Sequence, residues 1–486
     1  MPSPSDPASA DAALCAREPR LPGLAAVLDA PALAAAAGLP GLRHTYLRYK
    51  PDTNCVAGLA PTDGGLDVWA AMTYPTERWP KLRARPEWND GPVRAAFVDD
   101  VFTVLVPLSL ERRLIAARAL ADPVGRTRLL AALGLEGCEL RLLRYKPGRR
   151  IVLCADDPAG PRAVVKLHAD EAAFARAAAG AAHAARRGGP ALLAAVAGAH
   201  AVAVAWAPGR TLDSDADPGD FALAGAALAT LHACALDGRL PPLHVTSVDT
   251  VLDAVGVLAP ALMPEARRVA GRLPEMPAGP AVAVHGDFSA DQVVVGPTGT
   301  SIVDWDRAAT GPAARDLGSA LARLDLDGLR GAETTTAADA LLDGYAAIVA
   351  PPAAADVAAH RARALLALVT EGFRERRPHW DEEIRAVLRR VEALCADPPT
   401  AQASPRRRVA PGPIPSLEFA LDPARMGPVL TAALPGTSTG AQADGTVAAS
   451  ITRLKPGRRA MVRYALPDGR VLLGKLRAKG PDARAP

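Results

Sequence analysis

The chain has 486 residues, which is enough for about two to four domains and a large buried core. Lys and Arg exceed Asp and Glu by only four, and the charges are spread along the chain, which argues against a nucleic-acid partner. The six cysteines form no CxxC pair, as is typical of single thiols in a reducing compartment. The polar N-terminus and the alanine-rich stretch Ala191–Gly209 predict neither a signal peptide nor a membrane span, so we expect a cytoplasmic protein without a membrane partner.

Three short segments of the sequence resemble one another and predict an internal repeat. They begin at Leu47, Leu143 and Leu454 and read LRYKPD, LRYKPGRR and LKPGRR. Each follows a helical stretch that opens near an Asp, and each precedes two further β-like runs. Strands separated by Pro-Gly and Asp-Gly turns are typical of an antiparallel meander.

Residues 20–120 are predicted to be a degenerate copy of this unit. Its hairpin is two residues longer than that of the second copy, so the position of the third-strand lysine falls on Met72. A segment with Pro and Trp, a strand-like run at Ala95–Pro107 and a helical run at Leu110–Leu120 follow it. We expect this copy to keep the shape of the unit without its chemistry.

Residues 121–208 are the second copy, which carries Lys146 in its first turn and Lys166 on its third strand. The whole chain has only seven lysines, and five of them fall at these two repeat positions. Lys is a compact charge that can reach a phosphate through a narrow gap, whereas Arg presents a wide planar fork. We therefore predict that Lys166 contacts a phosphate, the alternative being that it only extends beside a strand. For Lys146 a solvated turn is favoured, and a phosphate contact stays open.

Residues 209–397 are predicted to be a mostly helical unit that contains the strongest motif of the chain. After an apolar run comes His285-Gly-Asp-Phe-Ser-Ala-Asp-Gln292, and then Ser301-Ile-Val-Asp-Trp-Asp306. Phosphoryl transfer needs positioned phosphates, metal ions and one group that orients the attacking hydroxyl. Asp304 offers Mg²⁺ a carboxylate and Gln292 an amide oxygen, and Asp287 can receive the hydroxyl proton.

At these residues the chain resembles the aminoglycoside phosphotransferase/choline kinase family, whose pattern is H-G-D-x-x-x-x-N followed by I-D-W. His285-Gly-Asp287 and Asp304-Trp305 match it, and the resemblance extends from about residue 121 to residue 397. It implies an α+β, protein-kinase-like fold with two lobes, an antiparallel-sheet small lobe and a helical large lobe, with additional small-lobe-like repeats at both ends. It also implies ATP and Mg²⁺, Asp287 as catalytic base, Asp304 as the main magnesium ligand and Lys166 as the contact to the α/β-phosphates.

One departure from the family pattern concerns the metal. Gln292 stands where the family has Asn, and it keeps the carbonyl oxygen on a side chain that is one methylene longer. We expect Gln292 at both the metal and the nucleotide, with Asp291 beside it as an alternative ligand. The other polar residues near the motif, His285, Asp306 and Asp316, are predicted to be structural.

Two further departures concern the nucleotide. The phosphate-covering turn, Lys146–Arg150, has a single glycine, so we expect Arg149 or Arg150 to bind the nucleotide by charge. In the family, a helix glutamate pairs with the strand lysine. The only candidate here is Glu171, which follows Lys166 by five residues.

The acceptor is expected to be a small molecule with a hydroxyl group, and sugars, amino alcohols and antibiotics all stay open. Acidic residues after the hinge and in the late helices would attract a cationic acceptor, although a solvated loop and an exposed helix face are the stronger alternatives. These residues are Asp213, Asp215, Asp217, Asp220, Glu371, Glu375 and Asp381–Glu383.

Residues 398–415 are rich in Pro, Ala and Arg and are predicted to be a linker. Residues 416–486 repeat the small lobe as far as Lys475 and then end, so this partial third copy has no catalytic base and no metal ligand of its own. Three roles stay open for this copy: the start of a tandem domain that is cut short, a docking module, or a lobe provided to another chain. The last of these would allow self-association.

Two functions compete on these grounds. The leading one is an ATP-dependent kinase that phosphorylates a hydroxyl group of a sugar, an aminoglycoside or an amino alcohol. The alternative is a pseudokinase that senses a nucleotide or acts as a scaffold, which Met72 and Gln292 favour. The intact Asp287 and Asp304 favour the kinase.

Overall fold

A computed structural model describes residues 7–187, 189–236, 238–277, 279–297, 299–396, 414, 416–433, 447–466 and 468–478. The predicted linker, residues 398–415, lies outside the described residues apart from Ile414. The fold is α+β, as predicted: antiparallel sheets lie beside a helical large lobe. Among the residues described, no helix is long and apolar enough to cross a membrane.

The first module comprises residues 7–107. Its helices are α1 (Pro7–Ala16), α2 (Leu24–Leu28), α3 (Ala30–Ala36), α4 (Trp79–Arg83) and α5 (Pro86–Asn89), and its strands are β1 (Leu42–Lys50), β2 (Asn54–Pro61), β3 (Trp69–Thr73), β4 (Ala96–Val98) and β5 (Thr103–Pro107). The antiparallel sheet has the order β1-β2-β3-β5-β4. Asp29 caps α3, because its side chain accepts the N–H of Ala32 at 3.1 Å.

The second module comprises residues 117–205. Its helices are α6 (Ala117–Ala121), α7 (Pro123–Ala132) and α8 (Glu171–Ala185), and its strands are β6 (Glu139–Lys146), β7 (Arg150–Asp157), β8 (Gly160–His168), β9 (Leu192–Val196) and β10 (Ala201–Ala205). The sheet order, β6-β7-β8-β10-β9, repeats that of the first module. Asp122 caps α7 by accepting the N–H of Gly125 at 2.7 Å, as Asp29 does for α3.

The large lobe follows from residue 210 to residue 396. Its helices are α9 (Pro218–Ala233), α10 (Val248–Leu258), α11 (Met263–Ala270), α12 (Ala314–Leu329), α13 (Thr335–Ala346), α14 (Ala354–Ala367), α15 (Glu371–Arg374) and α16 (Trp380–Ala396), and its strands are β11 (Arg210–Thr211), β12 (Ala281–Val284), β13 (Val293–Gly296), β14 (Gly299–Ile302) and β15 (Ala309–Pro312). Leu317, Leu321 and Leu324 follow the helical period on α12 and are buried. This packing holds the loops that follow β12 and β14 against the second module.

The third module lies after the linker. Its helices are α17 (Leu417–Leu421) and α18 (Pro423–Ala433), and its strands are β16 (Ala448–Lys455), β17 (Arg459–Ala465) and β18 (Val471–Arg477). The sheet order is β16-β17-β18 among the described residues. Ala460, Val462 and Tyr464 alternate along β17 and share one buried core with the large lobe, so this module is docked there.

The strand registers show which residues of the three sheets occupy equivalent positions on the third strand. The residue pairs across the second and third strands at one such position are Val56 with Met72, Val152 with Lys166, and Met461 with Lys475. Met72 therefore occupies the place of Lys166, which is where the sequence repeat put it. The shared strand order and register support the repeat hypothesis, which we carry forward as a proposal.

Candidate active site

A cavity of about 600 Å³ lies between the sheet of the second module, helix α8 and the large lobe. Val152, Lys166 and Val202 line it from neighbouring strands, and Gln292 and Asp304 line it from the large lobe. Alternate side chains on a strand point to the same face, so the strands supply a continuous wall. The cavity has the size of a small-molecule or cofactor site, and its charged groups meet at one end.

Two cations and two carboxylates form this charged end. The Nζ atom of Lys166 donates to Oδ1 of Asp306 at 2.6 Å and also to Asp304. Arg150 pairs with Asp306, and its Nη1 atom lies 3.6 Å from Oδ1 of Asp304. The Lys166 residue is only 8% exposed, so water screens these interactions less than it screens a surface pair. Asp306, for which the sequence predicts a structural role, is a direct partner of Lys166.

The backbone and charge of Asp304 are both unusual. Its φ of 61° lies in the left-handed region, where residues other than glycine are strained, and such strain is concentrated at functional sites. Burial alone would raise the pKa of this carboxyl group. Lys166 and Arg150 override that effect and hold the pKa of Asp304 well below its usual range. Asp304 is therefore a carboxylate at any physiological pH.

Helix α8 does not bring an acid to Lys166. Glu171 is the first residue of the helix, and its side chain is exposed. The face of α8 that lines the cavity consists of alanines, namely Ala177, Ala181 and Ala184. Among the described residues, the carboxylates hydrogen-bonded to Lys166 are those of Asp304 and Asp306.

Asp287 lies on an open loop after β12. Its side chain is 54% exposed, and Oδ1 lies 3.6 Å from Nη1 of Arg307. The preceding Gly286 has a φ of 81°, and a Cβ there would lie 2.3 Å from the carbonyl oxygen of Arg307. Only glycine fits this conformation. The exposed Asp287 carboxylate is not among the residues that line the cavity.

Asp316 holds this loop from below. It is fully buried and accepts the N–H groups of His285 at 2.6 Å and Gly286 at 2.9 Å, and it accepts from Nε2 of His232 at 3.2 Å. Burial would raise the pKa of Asp316, but these donors lower it overall. His285 in turn donates from Nε2 to the carbonyl oxygen of Val303 at 2.9 Å. Asp316 and His285 thus tie the Asp287 loop to the strand before Asp304.

Side chains with the oxygen atoms that Mg²⁺ prefers line the cavity. Asp291, Gln292 and Asp304 line it together, and Nε2 of Gln292 donates to Asp291 at 3.1 Å, so its carbonyl oxygen is the remaining polar atom. No three His, Cys, Asp or Glu side chains converge as a complete metal site within the described part of the chain. Mg²⁺ usually takes one or two protein carboxylates and shares substrate phosphates, so the donor set fits.

The phosphate-covering turn separates its two arginines. Arg150 lines the cavity, whereas the guanidinium carbon of Arg149 lies outside it, 6.0 Å from the ring centroid of Tyr46 in the first module. Lys146, expected to be solvated, is partly buried. Burial and the neighbouring Arg144 and Arg150 lower the pKa of Lys146 to about 8.

The acidic residues considered for a cationic acceptor have local partners. Asp217 accepts a backbone N–H at the start of α9 at 2.7 Å, and Asp213 accepts the N–H of Asp215 at 3.1 Å. Both oxygens of Glu383 bind Arg330, at 2.9 and 3.0 Å. These contacts favour structural roles for the acidic residues, in a loop and on helix surfaces, over a site for a cationic acceptor. The identity of the acceptor stays open.

Comparison with known proteins matches residues 141–366 to the sequence model of the phosphotransferase enzyme family. A choline/ethanolamine kinase family protein from Mesorhizobium loti is similar at 20% identity over 57% of this chain and 92% of its own, with a TM-score of 0.40. A macrolide 2'-phosphotransferase from Brachybacterium faecium is similar at 20% identity over 58% of this chain and 99% of its own, with a TM-score of 0.38. No curated protein matches the chain by sequence.

Proposed function

Because residues 141–366 match the sequence model of the phosphotransferase enzyme family, we propose that the chain is an ATP-dependent enzyme that phosphorylates a hydroxyl group of a small molecule. The observation that carries the proposal is the meeting of Lys166, Arg150 and Asp304 at one end of an otherwise mostly apolar cavity. Such a cavity suits a nucleotide, with its base in the apolar part and its phosphates at the charged end.

In the proposed reaction, Lys166 and Arg150 hold the phosphates of ATP. Mg²⁺ bound by Asp304 and Gln292 would neutralise phosphate charge. Asp287 accepts the proton of the acceptor hydroxyl as its oxygen bonds to the γ-phosphorus. The bond from the γ-phosphorus to the bridging oxygen then breaks, and ADP leaves with that electron pair.

The carboxylate pair of Asp304 and Asp306 also explains how Lys166 is placed without a helix glutamate. Two carboxylates and a rigid strand fix its ammonium group before the nucleotide arrives, which reduces the reorganisation needed in the reaction. The same observation supports the second candidate. A pseudokinase would keep nucleotide binding at Lys166 and have no acceptor turnover.

Release of ADP in the presence of Mg²⁺–ATP tests the proposal. The wild-type chain and Asp287→Ala are compared against a panel of hydroxyl acceptors that includes choline, a macrolide and an aminoglycoside. We expect acceptor-dependent ADP release that falls at least about 100-fold in Asp287→Ala, because a positioned base contributes about that much. Asp468→Ala, in an exposed turn of the third module, is the control and keeps full activity. Nucleotide binding without turnover on any acceptor would favour the pseudokinase.

A further inference from the structure

A glutamate from the connection between the first two modules holds the phosphate-covering turn. Oε2 of Glu111 accepts the N–H of Gly148 at 3.0 Å and the hydroxyl of Tyr145 at 3.3 Å, and Oε1 accepts the N–H of Arg113 at 3.0 Å. Burial and Glu111 raise the pKa of the fully buried Tyr145, so its hydroxyl stays protonated and donates. The N–H of the only glycine in the turn is thus engaged by Glu111.

The first module has the same arrangement around its own turn. Oε2 of Glu18 accepts the hydroxyl of Tyr49 at 2.7 Å and the N–H of Asp52 at 2.8 Å. Asp52 has the left-handed φ that Gly148 has in the second module. Glu18 therefore provides a natural control, since it makes the same contacts in a module whose lysine position is Met72.

The third copy lacks the tyrosine of this contact. Leu454 stands directly before the Lys-Pro turn, where Tyr145 stands in the second copy, and it has no hydroxyl.

The sheet of the first module also touches the turn directly. The Oγ1 atom of Thr45 donates to the carbonyl oxygen of Tyr145 at 2.8 Å. A Cβ on Gly58 would lie 2.8 Å from that same oxygen and 2.9 Å from Cδ of Pro147, so the two backbones meet where a side chain does not fit. The first module therefore meets the turn at Tyr145 and Pro147, and the Arg149 side chain lies beside Tyr46 of the first module.

We propose that the connection after the first module and the sheet of the first module together position the phosphate-covering turn for the nucleotide, with Glu111 in the connection and Thr45 in the sheet as positioning residues. The inference rests on the proposed function. A glycine-rich loop closes over phosphates with its own N–H groups, but here the N–H of Gly148 is occupied. Phosphate binding at this turn therefore depends on side chains, above all Arg150, and their placement depends on a turn that is held still.

The dissociation constant of Mg²⁺–ATP, measured by isothermal titration calorimetry on the full chain, tests this inference. We expect Glu111→Ala to raise it about tenfold and Thr45→Val about threefold. Glu111→Gln keeps a carbonyl oxygen for the N–H of Gly148 and should stay within about twofold of wild type. Glu18→Ala removes the same contacts in the first module, so it should lower the melting temperature and leave the dissociation constant unchanged.

The outcomes separate the two proposals. Unchanged affinity in Glu111→Ala and Thr45→Val, or an equal loss in Glu18→Ala, would overturn the positioning role and leave the proposed function standing. No binding by the wild-type chain, or undiminished binding by Lys166→Ala, would overturn both. If Glu111→Ala does not fold, Thr45→Val decides, because it removes one hydroxyl and keeps the side-chain volume.

Discussion

The first two modules differ in what lies on the equivalent face of their sheets. In the second module this face borders an open cavity, and in the first module tryptophan side chains cover it. In the second module, α8 follows the third strand and turns alanines toward the cavity. In the first module, the corresponding connection is the segment Trp79–Asn89, and Trp79 and Trp88 pack on Val104 and Met72. One strand order thus supports a binding site or a filled core, depending on what covers the face.

The tryptophan cluster is closed on its outer side as well. Trp88 is 4% exposed, its ring centroid lies 6.3 Å from that of Phe97, and the guanidinium carbon of Arg85 lies 4.5 Å above its ring. Trp79 donates from Nε1 to Asp99 at 3.1 Å. The first module therefore lacks room for a nucleotide as well as the lysine to bind one.

Removing a tryptophan has the largest expected effect on stability. Trp88→Ala should lower the free energy of unfolding by about 3–5 kcal/mol, because it deletes a large buried ring and leaves a cavity. Urea unfolding followed by tryptophan fluorescence measures this loss. The affinity for Mg²⁺–ATP should stay within about twofold. A loss of stability below about 1 kcal/mol would mean that the cluster is not the core of the first module.

A lysine at position 72 of the first module should not give that module a nucleotide site. Met72→Lys places a charge against Trp79 and Val104, so we expect a loss of about 1–3 kcal/mol in unfolding free energy and no second nucleotide site. Met461→Lys makes the same change at a partly buried position of the third module outside the tryptophan cluster and should cost less than about 0.5 kcal/mol. The number of nucleotides bound per chain, measured by calorimetric titration, checks that Met72→Lys creates no second site. A rise to two nucleotides per chain would show that the missing lysine alone separates the modules.

The smallest expected effect is a pH dependence of stability that comes from a histidine of the second module. Two residues beyond the aligned lysine position, the second module has His168 and the first has Tyr74. Burial lowers the pKa of His168 from 6.5 to about 4, a shift that the nearby Asp306 only partly offsets. Between those values the unfolded chain binds the proton and the folded chain does not, so stability is complete above pH 6.5 and falls as pH drops toward 4. We expect a loss of about 1–2 kcal/mol over this range.

The variant His168→Tyr installs the residue of the first module and should make this dependence less steep, while the buried His360 keeps its own share of it. Melting temperatures between pH 4.5 and pH 7 give the slope, which is compared within each variant, so a change in overall stability does not disturb the test. His244→Tyr alters an exposed histidine and should keep the wild-type slope. An unchanged slope in His168→Tyr would remove His168 from the pH response.

The family resemblance and the α+β fold could be predicted because their signals are local in sequence. The string from His285 to Gln292 and the pair Asp304-Trp305 predicted the resemblance, and residues 141–366 match the sequence model of the phosphotransferase enzyme family. Lysine spacing put Met72 at the position of Lys166, and the strand register agrees. Both signals come from residues close together in the chain, which sequence patterns report directly.

Contacts between distant segments could not be predicted in this way. Asp306 lies 140 residues from Lys166, and its role follows only from how the large lobe meets the sheet. Arg149 points at the first module and Lys146 is partly buried, because the first module packs on a turn that the sequence presents as exposed. The roles of the candidate site residues stay predictions that the variants above test.

The central claim is that one of three related modules binds a nucleotide, through Lys166. Calorimetric titration of Mg²⁺–ATP into the wild-type chain, Lys166→Ala and Lys475→Ala tests it most directly. The account predicts one site per chain, lost in Lys166→Ala and unchanged in Lys475→Ala, because Lys475 is exposed and does not line the cavity. More than one site per chain, or binding that persists in Lys166→Ala, would contradict it.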